Sequence, residues 1–198
     1  MNRFIYALID INTQELIVHR YEVLFIIEKN HQRCRVISIT TGKEFDIPNE
    51  NIDNVNEEIN FYASFDPTQT GDNFQNKVCN VCHRLLPTER FDINQHGKDN
   101  RIVRRPSCIF CREIIDGVPL LNSEKERLNT NKPHMIPFEC PICKKRTIPG
   151  LTSKVVIDHN HETGAGRAWI CDSCNTGLGR FKDNIDLLNS AIRFLETN

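Results

Sequence analysis

The chain has 198 residues, of which 39% are hydrophobic and 26% are charged, and its formal net charge is −1. Residues 1–72 carry 6 lysines and arginines against 12 acidic residues, whereas residues 73–198 carry 19 against 14. No stretch approaches the roughly 20 apolar residues of a membrane span, and the N-terminus lacks the apolar run of a signal peptide. We therefore expect a cytoplasmic, reducing setting in which the cysteines hold metal ions rather than form disulfides.

Residues 1–50 contain short runs of apolar, β-branched and aromatic residues that are broken by polar turns. This pattern predicts a small N-terminal antiparallel β-sheet or barrel of about five strands, with Gly42 in a tight hairpin turn. Cys34 has no cysteine partner nearby in the sequence and is expected to be a buried thiol. Residues 51–77 are acidic and rich in amides, which is typical of a linker.

Eight of the nine cysteines form four C-x-x-C pairs, and these pairs are arranged as an internal repeat. The two pairs of the first copy are separated by 25 residues and those of the second copy by 27. Each short loop can turn two thiolates toward one tetrahedral ion, so each copy predicts a closed, structural zinc site. The proposed zinc ligands are Cys79, Cys82, Cys108 and Cys111 in the first copy, and Cys140, Cys143, Cys171 and Cys174 in the second.

The second cysteine pair of each copy is expected to lead into a helix. Gly117 is the expected C-cap of a helix over residues 108–116, and Asn184 is expected to cap a helix over residues 185–195. Ser123 and Glu126 fit a capping box for a short helix between the copies. The sequence thus predicts an α+β chain in which two tandem four-cysteine β-hairpin/helix repeats, residues 78–117 and 138–198, are joined by a connector over residues 118–137.

Asp158, His159 and His161 lie between the cysteine pairs of the second copy, and Asn175 follows its last cysteine. The glycine-containing turn at residues 163–166 can pair the strands on either side of it as a hairpin. Because adjacent side chains of a strand point to opposite faces, Asp158 and His159 need a bend to converge on one substrate. Exposed polar residues on a hairpin are the simpler alternative.

The first copy keeps a histidine, His96, at the position that corresponds to His159. Gln95 replaces Asp158, and Arg112 replaces Asn175. The first copy therefore lacks equivalents of Asp158 and Asn175.

The residues Asp158-His159-Asn160-His161, the glycine turn, Arg167, Cys171-Asp172-Ser173-Cys174-Asn175 and Leu178-Gly179 resemble the HNH, or ββα-metal, endonucleases of the recombination endonuclease VII type. The resemblance covers roughly residues 138–195 and implies a ββα-metal nuclease motif. It implies that Asp158 and Asn175 hold one catalytic magnesium or manganese ion, that His159 activates the attacking water, and that His161 positions phosphate or orients its neighbours. Such oxygen ligands suit magnesium, and an imidazole with a pKa near ~6.5 suits a general base. Phage members often carry an acidic residue where this chain has Leu178.

The order of a strand-rich N-terminal domain and two four-cysteine repeats is also similar to that of the two-zinc HNH type II restriction endonucleases. This resemblance implies a homodimer that encloses double-stranded DNA and cuts once per strand, in a prokaryotic or phage-infected cell. We predict a DNA endonuclease, most specifically a restriction enzyme. A junction-resolving phage nuclease is the alternative enzyme, and a non-catalytic zinc DNA-binding protein is the alternative from another class.

Because the first copy lacks equivalents of Asp158 and Asn175, we expect it to be catalytically silent and to bind DNA. Basic residues between its cysteine pairs are candidates for contacts with DNA phosphates or guanine edges. A solvated basic face is the competing interpretation. The candidates are Lys98, Arg101, Arg104 and Arg105 in the first copy, and Arg167 in the second copy is a candidate for contacts with the DNA backbone.

Overall fold

The computed structural model describes residues 3–56, 60–61, 74–96 and 102–197. The chain divides into two compact units, Met1–Arg112 and Glu113–Asn198. Both units combine strands and helices, so the predicted α+β class is confirmed. Within the described ranges, no helix is long and apolar enough to cross a membrane.

The first unit begins with an antiparallel sheet of five strands, in the order β6-β5-β4-β1-β7. Its interior is apolar, as the strand pattern predicted, and Cys34 is a buried thiol within it. Gly42, at a φ of 71°, turns the chain between the third and fourth of these strands in sequence, which confirms the predicted hairpin turn. The strands are β1 (Phe4–Ala7), β4 (Val23–Lys29), β5 (Arg33–Ser38), β6 (Glu44–Pro48) and β7 (Ile52–Asn54), and a separate ribbon pairs β2 (Ile11–Asn12) with β3 (Ile17–Val18).

The remainder of the first unit contains the first cysteine copy. A three-stranded sheet in the order β10-β9-β8 carries the first C-x-x-C pair in the turn between β9 and β10, and a hairpin of β11 and β12 leads to helix α1. Two short 3₁₀ turns, Asn49–Asn51 and Thr88–Arg90, also lie in this unit. The elements are β8 (Asn60–Phe61), β9 (Asn76–Val78), β10 (Leu85–Pro87), β11 (Ile93–His96), β12 (Ile102–Arg104) and α1 (Ile109–Asp116), whose residues 113–116 belong to the second unit.

The second unit repeats this order of elements after an intervening helix. A short hairpin of β13 and β14 carries the third C-x-x-C pair, a longer hairpin of β15 and β16 follows, and helix α3 contains the last cysteine. The internal repeat of the sequence is therefore a repeat of structure. The elements are α2 (Asn122–Asn129), β13 (Phe138–Glu139), β14 (Arg146–Thr147), β15 (Val155–His159), β16 (Gly166–Cys171), α3 (Asp172–Arg180) and α4 (Ile185–Thr197).

Two of the three predicted helix ends are confirmed. The side-chain oxygen of Asn184 accepts hydrogen bonds from the N–H groups of residues 186 and 187 at the start of α4. Gly117 ends α1 at a φ of 58°. The predicted capping box is wrong, because α2 begins at Asn122 and Ser123 lies within the helix. Glu124, in the same turn, instead accepts a hydrogen bond from the N–H of Gly166 at 3.1 Å.

Candidate active site and metal clusters

The four cysteine sulfurs of each copy converge on one point. Within each set, all four Sγ atoms lie within 4.8 Å of one another. Cys143 Sγ is 3.8 Å from Cys171 Sγ. Tetrahedral zinc with Zn–S bonds of about 2.3 Å requires its sulfur atoms to be about 3.8 Å apart. Both sets of predicted ligands therefore have the chemistry and the spacing of a closed four-thiolate zinc site.

The cysteines of each cluster differ in how readily they ionise. A hydrogen bond from the Cys82 thiol, with help from backbone N–H groups, lowers the pKa of Cys79 to about 4. Burial opposes ionisation of Cys140, but the backbone N–H groups around its sulfur outweigh burial and lower its pKa to about 6. Burial raises the pKa of Cys111 and of Cys174 to about 12. A metal ion must displace protons from the latter thiols, so its binding depends on pH.

The hairpin of β15 and β16 is irregular at the predicted catalytic residues. Asp158 pairs with Ala168, but the next residue, His159, pairs with Gly166, so that Arg167 is the extra residue of a β-bulge. A bulge bends its strand and redirects side chains. The bulge in β16 therefore lies directly opposite Asp158 and His159, and the pairing register of the hairpin changes between these two residues.

Two histidines are stacked at the end of this hairpin. The rings of His159 and His161 are nearly parallel, at 11°, with centroids 4.7 Å apart. The Nδ1 atom of His161 is 3.2 Å from the carbonyl oxygen of Ile115. Because a carbonyl oxygen can only accept a hydrogen bond, this contact assigns a proton to Nδ1 of His161. The side chain of His161 is thus held by the last turn of α1, and its ring supports that of His159.

One nitrogen of His159 is buried and unpaired. Among the described residues, none forms a hydrogen bond with its Nε2 atom. Leaving a buried polar atom unpaired costs about 1–3 kcal/mol, and unpaired groups of this kind occur at functional sites. A water molecule or a phosphate oxygen could supply the missing partner.

Asp158 is buried, and its carboxylate and that of Asp183 both contact the guanidinium group of Arg167. Nη1 of Arg167 is 3.0 Å from Oδ2 of Asp158 and 2.7 Å from Oδ2 of Asp183. The hydrogen bond to Asp183, followed by that to Asp158, raises the pKa of Arg167 above its usual value despite partial burial. Arg167, a predicted DNA contact, is therefore bound to two acidic side chains of its own unit.

Asp183 was not predicted as a site residue. It follows α3, and both it and Lys182 have the positive φ angles, 53° and 56°, that residues other than glycine rarely adopt. Each left-handed residue costs roughly 1–2 kcal/mol, somewhat less for aspartate. These two residues redirect the chain so that Asp183 reaches Arg167. No spacing rule in the sequence reveals a turn of this kind.

Asn175 is the fourth residue of α3, which packs against both β15 and β16. The helix begins directly after Cys171, the third ligand of the second cluster. The four-thiolate cluster therefore anchors the helix and the hairpin to each other, and Asn175 and Asp158 lie in the same ββα unit.

Helix α2 contacts strand β16 of the β15–β16 hairpin. Glu124 accepts the N–H of Gly166, and Nη2 of Arg127 donates to the carbonyl of Gly166 at 3.0 Å. Nε1 of Trp169 donates to the carbonyl of Leu128 at 2.9 Å. A Cβ atom on Gly166 would lie 2.5 Å from the side chain of Leu128. The stretch that was predicted to be only a connector is therefore bonded to the hairpin that carries the site.

The predicted DNA contacts of the first copy have varied surroundings. Lys98 and Arg101 lie outside the described residues. Nη1 of Arg104 donates to the carbonyl of Phe91 at 2.8 Å, so its guanidinium group supports the fold of the first copy. Arg105 is half-buried.

The β15–β16 hairpin carries Asp158 and His159, and helix α3, which carries Asn175, follows it. The four cysteines of the second cluster join the hairpin to the helix. This arrangement defines a ββα-metal nuclease unit. Comparison with known families agrees with this. Residues 120–197 match the model of recombination endonuclease VII, and residues 66–117 match that of the His-Me finger endonuclease beta4-alpha2 domain.

A solved structure extends the similarity to nearly the whole chain. The crystal structure of the beta-beta-alpha-Me type II restriction endonuclease Hpy99I is 38% identical in sequence, with a TM-score of 0.82. The match covers 99% of this chain and 97% of that one. A comparison with curated proteins gave no match. The chain belongs to the ββα-metal, or His-Me finger, endonucleases, which are metal-dependent nucleases.

Proposed function

We propose that the protein hydrolyses phosphodiester bonds of double-stranded DNA at a short sequence, as a type II restriction endonuclease. One observation carries the nuclease assignment. Asp158 and His159 lie opposite a β-bulge, inside a ββα unit that four cysteines hold together. The similarity to Hpy99I along both chains favours restriction over other nuclease roles.

Asp158 and Asn175 would hold the catalytic ion, for which we propose magnesium or manganese. One carboxylate and one amide oxygen form a hard donor set that fits these ions, whereas the eight clustered thiolates fit zinc. When bound, such an ion stabilises negative charge on the phosphate that is being cleaved. Burial of Asp158 and its pairing with Arg167 keep the carboxylate in a defined orientation. Zinc in the two clusters would then be purely structural.

His159 would take the proton from the attacking water. Its buried Nε2 atom lacks a partner among the described residues, and stacking on His161 restricts the rotation of its ring. His161 is itself held by the carbonyl of Ile115, so a chain of contacts fixes the orientation of His159. A general base that is held in this way contributes about 10²–10⁴-fold to the rate of a proton-transfer step.

The test of this role is His159→Ala in the zinc-loaded full-length protein. Nicking of plasmid DNA in the presence of magnesium should fall by about 10²–10⁴-fold, with zinc content and DNA binding unchanged. His96→Ala is the matched control, because His96 occupies the corresponding position in the first copy and lies on its exposed surface. Undiminished nicking by the His159 variant would overturn the assignment of the base. Binding without any cleavage by the wild-type protein would instead support a non-catalytic DNA-binding protein.

The recombination endonuclease VII match over residues 120–197 supports a second candidate, a nuclease that resolves branched DNA. Linear duplexes, a phage genome and synthetic four-way junctions, offered at equal concentration, separate the two functions. Fragments with ends at one short sequence support restriction, whereas cleavage that requires a junction supports resolution. Sequencing the fragment ends defines the recognised bases.

Each chain has one proposed hydrolytic site, which cuts one strand. Cleavage of both strands at one position therefore suggests two copies, and we propose a homodimer. Light scattering of the protein bound to its cleaved duplex would test this stoichiometry. A reducing cytoplasm would keep the cysteines available for zinc, and all nine are free of disulfides in the structure.

A further inference from the structure

A single nitrogen atom of Arg167 lies between two carboxylates in the second unit. Its Nη1 contacts Oδ2 of Asp158 at 3.0 Å and Oδ2 of Asp183 at 2.7 Å. The side chain of Asp158 is 7% exposed and that of Asp183 is 16% exposed. The three formal charges sum to −1, and water screens them less than charges on an open surface.

Both partners reach this contact through irregular backbone. Arg167 is the bulged residue of β16, and Asp183 is the second of two consecutive residues with left-handed φ angles after α3. An ordinary surface ion pair needs neither a β-bulge nor a left-handed turn. Arg146 and Glu139, for example, form a 3.0 Å pair across the regular β13–β14 hairpin, with side chains that are 86% and 45% exposed.

We propose that Arg167 and Asp183 are positioning residues that set the affinity of Asp158 for the divalent ion. This inference rests on the proposed function, in which Asp158 is a ligand of that ion. Arg167 holds one oxygen of Asp158 and repels an incoming cation. Asp183 binds the same nitrogen atom and so offsets that repulsion.

Removing either partner should change the affinity in opposite directions. Arg167→Met changes the net charge of the three groups from −1 to −2, and the divalent ion should bind more tightly. Asp183→Asn changes it from −1 to 0 and leaves Arg167 to Asp158 alone, so binding should weaken. A unit charge about 6 Å from a dication alters its binding by about tenfold at an aqueous dielectric constant. A purely structural role would instead weaken binding in both variants.

The experiment is a titration of the zinc-loaded full-length protein with Mn²⁺, in which free Mn²⁺ is measured by electron paramagnetic resonance. Arg167→Met should bind Mn²⁺ about tenfold more tightly and Asp183→Asn about tenfold more weakly. Arg167→Lys keeps the charge and should stay within about twofold of wild type. Arg146→Met and Asp186→Asn are matched controls, because they remove the same charges from exposed positions of the same unit.

Shifts of opposite sign that exceed those of the controls support the inference, and shifts of the same sign, or none beyond the controls, overturn it. Asp158→Asn separates this result from the proposed function. If Asp158→Asn binds Mn²⁺ like wild type, Asp158 is not the ligand and the metal assignment itself fails. If that variant loses binding while Arg167→Met and Asp183→Asn do not shift, only the present inference fails. Should Arg167→Met lose zinc or helical signal, Asp183→Asn compared with Asp186→Asn decides the question.

Discussion

Replacing Gly117 by alanine should disturb the β15–β16 hairpin, although Gly117 is not part of that hairpin. Gly117 ends α1 at a φ of 58°, and a Cβ atom there would lie 2.3 Å from the carbonyl oxygen of His161. That oxygen accepts a hydrogen bond from the N–H of Val118 at 2.7 Å. Since the obstructing atom belongs to the backbone, no rotation of a side chain can relieve the clash.

The cost of Gly117→Ala has two parts. A left-handed alanine is less favourable than a glycine by about 1–2 kcal/mol. Moving the His161 carbonyl away breaks its hydrogen bond with Val118, which contributes about 1 kcal/mol, and more if the groups stay buried without partners. The expected loss is therefore about 2–4 kcal/mol, a large share of the roughly 5–15 kcal/mol that stabilises a typical domain. The stacked histidines should shift as well.

Urea unfolding followed by the fluorescence of Trp169 measures this loss, because Trp169 is the only tryptophan of the chain and lies on β16. Gly177→Ala is the control. A Cβ at Gly177, inside α3, would meet no atom within 4 Å, so this variant should be more stable by about 0.5–1 kcal/mol. A Gly117→Ala protein with wild-type stability and wild-type nicking would refute the view that the segment after α1 holds His161 in place.

Two further predictions concern pH. A hydrogen bond to Cys79 raises the pKa of Cys82, and burial raises that of Cys111, so both thiols must lose a proton to the solvent when they bind zinc. The zinc affinity of the first cluster should therefore fall by at least about 100-fold per unit of decreasing pH. Competition with a chromophoric chelator measures this affinity, and no pH dependence would contradict the prediction. The hydrogen bond from Arg127 lowers the pKa of Glu124 from 4.5, so the stability that Glu124 adds is complete above that value and is lost as the pH falls through the lower, folded-state value. Glu124→Gln should therefore lose less Trp169-monitored stability than wild type on acidification, and equal losses would argue against the contact with α2.

The sequence predicted those features that depend on local spacing. Two cysteines separated by two residues define a metal-binding turn by themselves, and the internal repeat indicated which pairs belong together. The glycine turn likewise predicted the β15–β16 hairpin. The need for a bend between Asp158 and His159 was evident from strand geometry. The bulge that lies opposite them in β16 could not be predicted, because the register of a hairpin depends on both strands, and nothing in the sequence marks Arg167 as the extra residue.

Features that depend on contacts between distant segments could not be predicted. Arg167 was interpreted as a DNA contact because its charge was visible, whereas its two acidic partners lie 9 and 16 positions away. Asp183 reaches Arg167 because Lys182 and Asp183 both have left-handed φ angles. Lysine has no preference for that conformation, so the sequence does not predict it. The role of α2 was missed for the same reason, since its bonds to Gly166 span about 40 residues of sequence.

The two cysteine copies differ in backbone as well as in side chains. In the first copy, Ile93 pairs with Arg104 and Gln95 with Val103, so the extra residue is Asn94, on the first strand of its hairpin. In the second copy the extra residue lies on the second strand. A bulge bends the strand that carries it. His96 therefore lies on the bent strand of its hairpin, whereas His159 lies opposite the bent strand, although the two histidines occupy corresponding positions. The position of the bulge therefore supports, independently of the replaced side chains, the proposal that hydrolysis belongs to the second copy alone.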